Sequence, residues 1–248
     1  MKQPPDESTI EATLAHYTLG NERERLDQPH GIIEFERTKD ILGRYLPPTP
    51  ATIADIGGGP GRYALWLAER GYQVYHRDLV GLHVQQLLDA LAGHPRLAID
   101  TAIGDARQLD LPDASMDAVL LLGPLYHLPR RPDRVQVLAE AKRLVRPGGL
   151  VFAAAISRWA PRLDAIIAQQ IHTRMPWALD ELPDLERTGW IKPLFPGAFT
   201  GFSHRPRQLH GEARDAGLHV VSVVGIESVA FLLPDLAERV ADPGALQR

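Results

Sequence analysis

Residues 53–62 read IADIGGGPGR: a short apolar run, an acidic residue, and four glycines within five positions. Glycine gives up more backbone freedom on folding than any other residue. A tight turn that needs φ > 0 explains one of them, at Gly57 or Gly61, but not four together. A loop that lets the backbone pass close to a ligand, and then aims helix N–H groups at negative charge, explains them all. The stretch reads as a buried strand, a turn that binds a nucleotide-like ligand, and a helix.

The flanking sequence repeats that rhythm. Arg62–Arg70 reads as a helix ended by Gly71, Gln73–Arg77 as a second strand and Val80–Ala92 as a second helix. Leu97–Ala102, Ala118–Leu122 and Leu150–Ile156 read as further strands, with a helix over Asp133–Leu144. Apolar strands alternating with helices predict βαβ units and a mostly parallel sheet covered on both faces. Upstream, Glu7–Leu46 is helical in pattern with a break near Gln28–Gly31, and Pro47-Pro48-Thr49-Pro50 stops it.

After the fifth strand the alternation lapses. Ser157–Gly201 carries Trp159, Trp177 and Trp190 together with Pro161, Pro176, Pro183, Pro193 and Pro196. It is too long for a simple connection and reads as an inserted helical lid. Pro206–Ala216 then reads as a helix ended by Gly217, His219–Glu227 as a strand, and Val229–Leu233 as a further short strand. The expected organisation is one domain over residues 1–248. It comprises an N-terminal helical cap (1–50), a cofactor-binding core (51–156), the lid (157–201) and a C-terminal part of the core (202–248).

Spacing narrows the ligand. A dinucleotide fingerprint places its third glycine five residues after the first; from Gly57 that position is Arg62, and from Gly59 it is Ala64. The G-K-[ST] of a phosphate-binding loop is absent as well. The pattern Asp55-Ile56-Gly57-Gly58-Gly59-Pro60-Gly61 is D-x-G-x-G-x-G, and it resembles the first motif of the class I S-adenosylmethionine-dependent methyltransferases of small-molecule type. More segments match in order: Asp78 at the end of the second strand, Gly104-Asp105-Ala106 after the third, Asp117–Leu128 over the fourth strand and its turn, and Leu144–Leu150 leading into the fifth. The resemblance covers residues 30–156 well, 202–233 more loosely, and the Trp-rich insertion hardly at all. It implies an α/β fold with a doubly wound, mostly parallel seven-stranded Rossmann-like sheet, S-adenosyl-L-methionine as cofactor, and methyl transfer to a small organic acceptor. O-, N- and C-methylation all stay open.

Site residues follow from the resemblance. Gly57, Gly59 and Gly61 let the backbone pass under the methionine part and ribose of the cofactor, with Asp55 near its amino group or, alternatively, capping the next helix. Asp78 takes the ribose hydroxyls, Asp105 and Ala106 the adenine, and Leu122 belongs to the same wall. Arg37 is placed to fork onto the cofactor carboxylate, or else pairs with Glu34 or Asp40 on the surface. In the turn Gly123–His127, His127 is the candidate base and Tyr126 an orienting or cation-facing ring; a turn histidine bonded only to backbone is the alternative. His204 is a second base candidate, or a helix cap. Tyr17 either closes over the cofactor or packs. Arg158 and Trp159 are candidates for the pocket wall, Trp159 with core packing as the stronger reading.

Two rivals remain: a protein that binds the cofactor without transferring the methyl group, and a nicotinamide-dependent oxidoreductase on the same architecture. A [DN]-P-P-[YF] motif would carry an amide or carboxylate where this chain has Gly123. With a net charge of −4 over 248 residues, that makes a nucleic-acid acceptor an unfavourable reading. There are no cysteines, and the ten histidines show no metal-ligand spacing, so no metal is expected. The polar N-terminus lacks an apolar core of a signal peptide, and no apolar run is long enough to span a bilayer. The expectation is a cytoplasmic protein without membrane partners, with a homodimer as the default assembly.

Overall fold

The computed structural model describes residues 6–18, 21–195, 198–228, 230, 233 and 235–241. In chain order, the N-terminal segment forms α1 (Asp6–Tyr17), a 3-10 turn (Asn21–Asp27) and α2 (Pro29–Tyr45). The break falls at Gln28, where Pro29 can open a new helix because its missing N–H would have no partner there.

The core follows as β1 (Thr52–Ile56), α3 (Arg62–Glu69), β2 (Gln73–Asp78), α4 (Gly81–Leu91), β3 (Ile99–Ile103), β4 (Met116–Leu121), α5 (Arg131–Leu144) and β5 (Val145–Ala153). These five strands form one sheet in the order β3-β2-β1-β4-β5, every pair parallel. Successive side chains on β1 and β4 point to opposite faces, which divides the interior in two. Ala54, Ile56, Val119 and Leu121 pack with Val137, Leu138, Ala141 and Leu144 of α5. Ile53, Ala118 and Leu120 pack with Leu42 of α2, Tyr63, Trp66 and Leu67 of α3, and Leu87 of α4. Burial on both sides is why β4 is apolar almost throughout.

The expected seven strands are five. The apolar run at 219–227 joins no ladder among the described residues, and Val220, Val221, Val223 and Val224 stand 42–76% exposed. β-branched residues favour a strand only where a neighbour offers its backbone. Here the chain after β5 turns away: β6 (Ile156–Ser157) pairs in parallel with β8 (Gly201–His204), and β8 pairs antiparallel with β7 (Trp190–Ile191). The result is a separate three-stranded sheet. The strand expected near 229–233 lies largely outside the described residues. β5 also starts five residues before the expected Leu150, with a register shift opposite Met116–Ala118 that absorbs the Pro147-Gly148-Gly149 segment.

The Trp-rich insertion is helical, as expected: α6 (Ala160–Leu163) running into a π-helical turn, α7 (Ile171–Arg174), and α8 (Leu182–Thr188). Ile171, Ala178 and Leu182 give it a small core of its own. The chain closes with α9 (Pro206–Asp215) and α10 (Leu236–Ala241). Among the described residues, no helix is long and apolar enough to cross a membrane.

Candidate active site

The cleft lies at the carboxyl ends of β1, β2 and β4, where open α/β sheets place their ligands. Gly57, Gly59 and Gly61 adopt φ of +66°, +58° and +84°, a region L side chains avoid. Their surroundings differ. A Cβ on Gly57 would sit 2.6 Å from the Pro124 ring, and one on Gly61 2.6 Å from Leu87. A Cβ on Gly59 would project into space, with Glu22 the nearest neighbour at 3.8 Å. Gly57 and Gly59 therefore line the cleft, whereas Gly61 serves as N-cap of α3 behind it.

Asp78, at the last position of β2, holds this loop in place. Its Oδ2 accepts from Gly59 N–H at 2.8 Å, and its Oδ1 accepts from Val80 N–H at 2.8 Å and His83 Nδ1 at 3.1 Å. Burial alone would raise its pKa, but these hydrogen bonds hold the carboxyl below the ordinary value. On the other side of the loop His76, fully buried, bonds Gly59 O at 3.0 Å and Thr101 Oγ1 at 2.8 Å. Asp105, Ala106 and Leu122 line the same cleft. Asp105 is tied to Arg107 on both oxygens.

Asp55 lies beneath the loop, not on the cleft wall. It is fully buried, and neither oxygen meets a hydrogen-bond partner in good geometry. Burial, reinforced by the charge of Asp78, pushes its pKa up to about 7. Gly58 is the reason this fits, since a Cβ there would lie 2.5 Å from Asp55 Oδ2.

The far end of the cleft is aromatic. Tyr17 Oη and His127 Nε2 are 2.7 Å apart. Burial holds the Tyr17 hydroxyl protonated, and burial with the charge of His16 pushes His127 down to about 4. One hydrogen therefore serves this bond; with the phenol donating, Nε2 accepts and the ring proton sits on Nδ1. His127 Nδ1 is buried beside the Thr200 backbone, without a hydrogen bond of good geometry. Tyr17, Tyr126 and Phe199 pack edge-on or tilted around the imidazole at 4.8–5.5 Å. Tyr17 also meets the His83 ring at 5.1 Å.

Other expected residues lie elsewhere. Arg37 is half-buried on α2 and pairs with Asp40 at 2.5 Å, away from the cleft. Arg25 stands on the wall instead, forked onto Glu34 at 2.5 and 3.1 Å and onto Glu22 at 2.7 Å. His204 is 3% exposed and bonded to Glu212 at 3.1 Å, outside the cleft lining. Arg158 is buried on the carbonyls of Ser203 and Glu186 and on Gln208, where it ties the insertion to α9. Trp159 is 59% exposed, in neither the core nor the cleft.

None of the described residues among 157–201 lines the cleft; Thr13, Tyr17, Glu22, Arg25, Leu26 and Glu34 of the N-terminal segment roof it. Sequence reasoning missed Arg25, Glu22, Glu34 and His83. A signal existed for His83, because the first turn after a strand's carboxyl end is part of the ligand crevice. For Arg25 there was none, since the arginines of the N-terminal segment look alike until the segment is folded.

A parallel sheet with a glycine loop and a carboxylate at adjoining strand ends defines an α/β protein with a nucleoside-type ligand. Comparison with known proteins narrows this. Residues 54–153 match the family model described as a methyltransferase domain. The chain is 31% identical over 186 residues to the demethylmenaquinone methyltransferase of Deinococcus radiodurans, covering 66% of this chain and 73% of that one. It is 30% identical over 183 residues to the ubiquinone biosynthesis O-methyltransferase of Pseudomonas paraeruginosa, covering 71% and 67% respectively. A solved SAM-dependent methyltransferase from Methanosarcina mazei shares the fold at a TM-score of 0.58 and 22% identity, over 71% of this chain and 82% of that one. The chain belongs to the S-adenosylmethionine-dependent methyltransferases.

The cleft fits that cofactor. Gly59 leaves open space, Asp78 stands at the strand end, and Arg25 with Glu22 and Glu34 matches a zwitterionic amino-acid end. His83 Nε2 is buried and unpartnered on the lining.

Proposed function

We propose that the chain methylates a small, partly apolar organic acceptor whose reacting atom gives up a proton, held between the glycine loop and the Tyr17–His127 pair. The observation that carries this reading is the pair itself, a phenol bonded at 2.7 Å to an imidazole in the same cleft as Asp78. When bound, S-adenosylmethionine supplies an electrophilic methyl group on a sulfonium sulfur. Gly57 and Gly59 give its backbone-side clearance, Asp78 accepts from the ribose hydroxyls, Asp105 and the Ala106 N–H take the adenine, and Leu122 forms the wall beside them. Arg25, rather than Arg37, forks onto the carboxylate, with Glu22 and Glu34 near the ammonium.

On the acceptor side, an O–H or N–H donates to the Tyr17 hydroxyl, which takes up its proton as it passes its own to His127 Nε2. A weak base suffices, because an oxygen or nitrogen becomes far more acidic as it gains a methyl group. Tyr126 orients the acceptor. Holding both reactants in line is the larger share of the catalysis. The two relatives are named for demethylmenaquinone and ubiquinone biosynthesis, which makes hydroxylated or enolisable rings the first acceptors to try. We read the chain as one methyltransferase domain acting in the cytoplasm on a free small molecule and not on nucleic acid, with a homodimer as the default assembly.

The test is methyl-labelled S-adenosylmethionine offered with short-chain quinols, phenols, small amines, tRNA and protein. Label on a small ring or amine supports the proposal. Label on macromolecules alone, or cofactor binding without transfer to any acceptor, overturns it.

A further inference from the structure

Behind the turn that carries His127 lies a charged cluster that the chemistry above leaves unused. Arg134, on the first turn of α5, is 2% exposed. Its Nε and Nη2 meet the carboxylate of Glu212 on α9 at 2.6–3.1 Å. Its Nη1 donates to the carbonyls of Leu128 and Pro129, at 2.7 and 2.9 Å. Those two residues directly follow His127, and Leu128 is itself on the cleft wall. The guanidinium lies 3.6 Å over the Phe202 ring, and Glu212 Oε2 also holds His204 Nε2 at 3.1 Å.

The turn is thus gripped from two sides. In front, Pro124 packs on Gly57, and a Cβ at Gly123 would lie 2.8 Å from Gly57 O. Behind, β8 abuts it so closely that a Cβ at Gly201 would lie 2.5 Å from Tyr126 O. One nitrogen, Nη1, serves both carbonyls at its exit, while the other two nitrogens of the same planar group hold Glu212. Burying an arginine, a glutamate and a histidine together is poor stability engineering, since well-packed apolar side chains do as well or better. A fixed geometry is what such a cluster offers that apolar packing does not.

We propose that Arg134, held in place by Glu212 and His204, is a positioning residue that fixes the backbone after His127 and so sets where the imidazole stands against Tyr17. His204 acts here through Glu212 and not as a base. The proposal rests on the structure of the turn; its consequence for turnover rests on the reading of His127 given above. It is testable without knowing the acceptor, by following the His127 imidazole by NMR in the folded chain, its signal assigned with His127→Gln. The charged groups that face this ring are His16, Asp78 and Arg25, and the substitutions leave all three in place.

In the parent protein the ring stays uncharged from about pH 7.5 down to 5.5. In Arg134→Lys, whose single ammonium cannot serve both carbonyls and Glu212, and in Glu212→Gln, the turn loosens and water reaches the ring. Its midpoint then rises by about one pH unit or more, a tenfold gain in proton affinity. Leu144→Ala, in the core away from the turn, is the control for general destabilisation. An unmoved His127 midpoint in either variant that folds overturns the proposal, and so does an equal shift in Leu144→Ala. If the positioning holds but no acceptor is methylated, the proposal stands and the assigned function falls.

Discussion

At the scale of single residues, polar partners decide which expected residues reach the cleft. Arg37 and Arg25 carry the same guanidinium, but α2 turns Arg37 outward onto Asp40 while the 3-10 turn sets Arg25 on the wall. A charge-assisted hydrogen bond is worth roughly 1.5–3 kcal/mol. Arg25→Met should therefore weaken S-adenosylmethionine binding by about tenfold or more, and Arg37→Met by less than about twofold, read by calorimetric titration. Equal losses in both would remove the assignment of Arg25. Tyr17→Phe keeps the ring and loses the hydroxyl. Turnover should fall by about 10–100-fold, with the cofactor dissociation constant nearly unchanged. A Tyr17→Phe protein with full turnover would reduce the hydroxyl to packing.

At the scale of elements, the roof over the cleft is the N-terminal segment, and the insertion stands aside. Thr13, Tyr17, Glu22, Arg25, Leu26 and Glu34 line the cleft, whereas the described part of the insertion touches the His127 turn from behind at its end, where Phe199 packs 5.5 Å from the His127 ring and Gly201 abuts Tyr126. Cofactor binding should slow amide hydrogen exchange across residues 13–34 and leave 160–188 nearly unchanged. Protection centred on the insertion would restore it as the lid. The insertion is free to stand apart because Ile171, Ala178 and Leu182 bury one another and Arg158 anchors it to β8 and α9. Composition rich in tryptophan and proline is compatible with a lid and with a self-packed subdomain alike, and only the packing separates them.

At the scale of the whole molecule, two buried groups titrate abnormally in opposite senses. Asp55 is raised from 3.8 to about 7, so the folded state holds a proton that the unfolded state has lost. Its stabilising contribution is full below pH 3.8 and disappears as pH rises through 7. His127 is lowered from 6.5 to about 4, so the unfolded state binds the extra proton, and that contribution disappears as pH falls from 6.5 to 4. Each slope is at most about 1.4 kcal/mol per pH unit, and between pH 4 and 6.5 they cancel. Thermal melts should show Asp55→Asn gaining stability relative to the parent as pH rises through this window, and His127→Gln losing it. Parallel pH profiles for all three proteins would disprove both shifts.

The sequence by itself determined the β1–loop–α3 unit, the parallel order of the core, the cofactor class and the carboxylate at the end of β2. The cofactor class rests on the resemblance of five ordered motifs to a known family; the others rest on local chemistry: glycines where φ must be positive, apolar runs where both faces are covered, an acid where a strand stops. Tertiary structure alone decided that 219–227 joins no strand among the described residues, that Arg25 and Tyr17 face the cleft, and that His204 serves Glu212. A strand needs a partner's backbone, and a long side chain goes where its counter-charge is; neither is written in the spacing of residues along the chain.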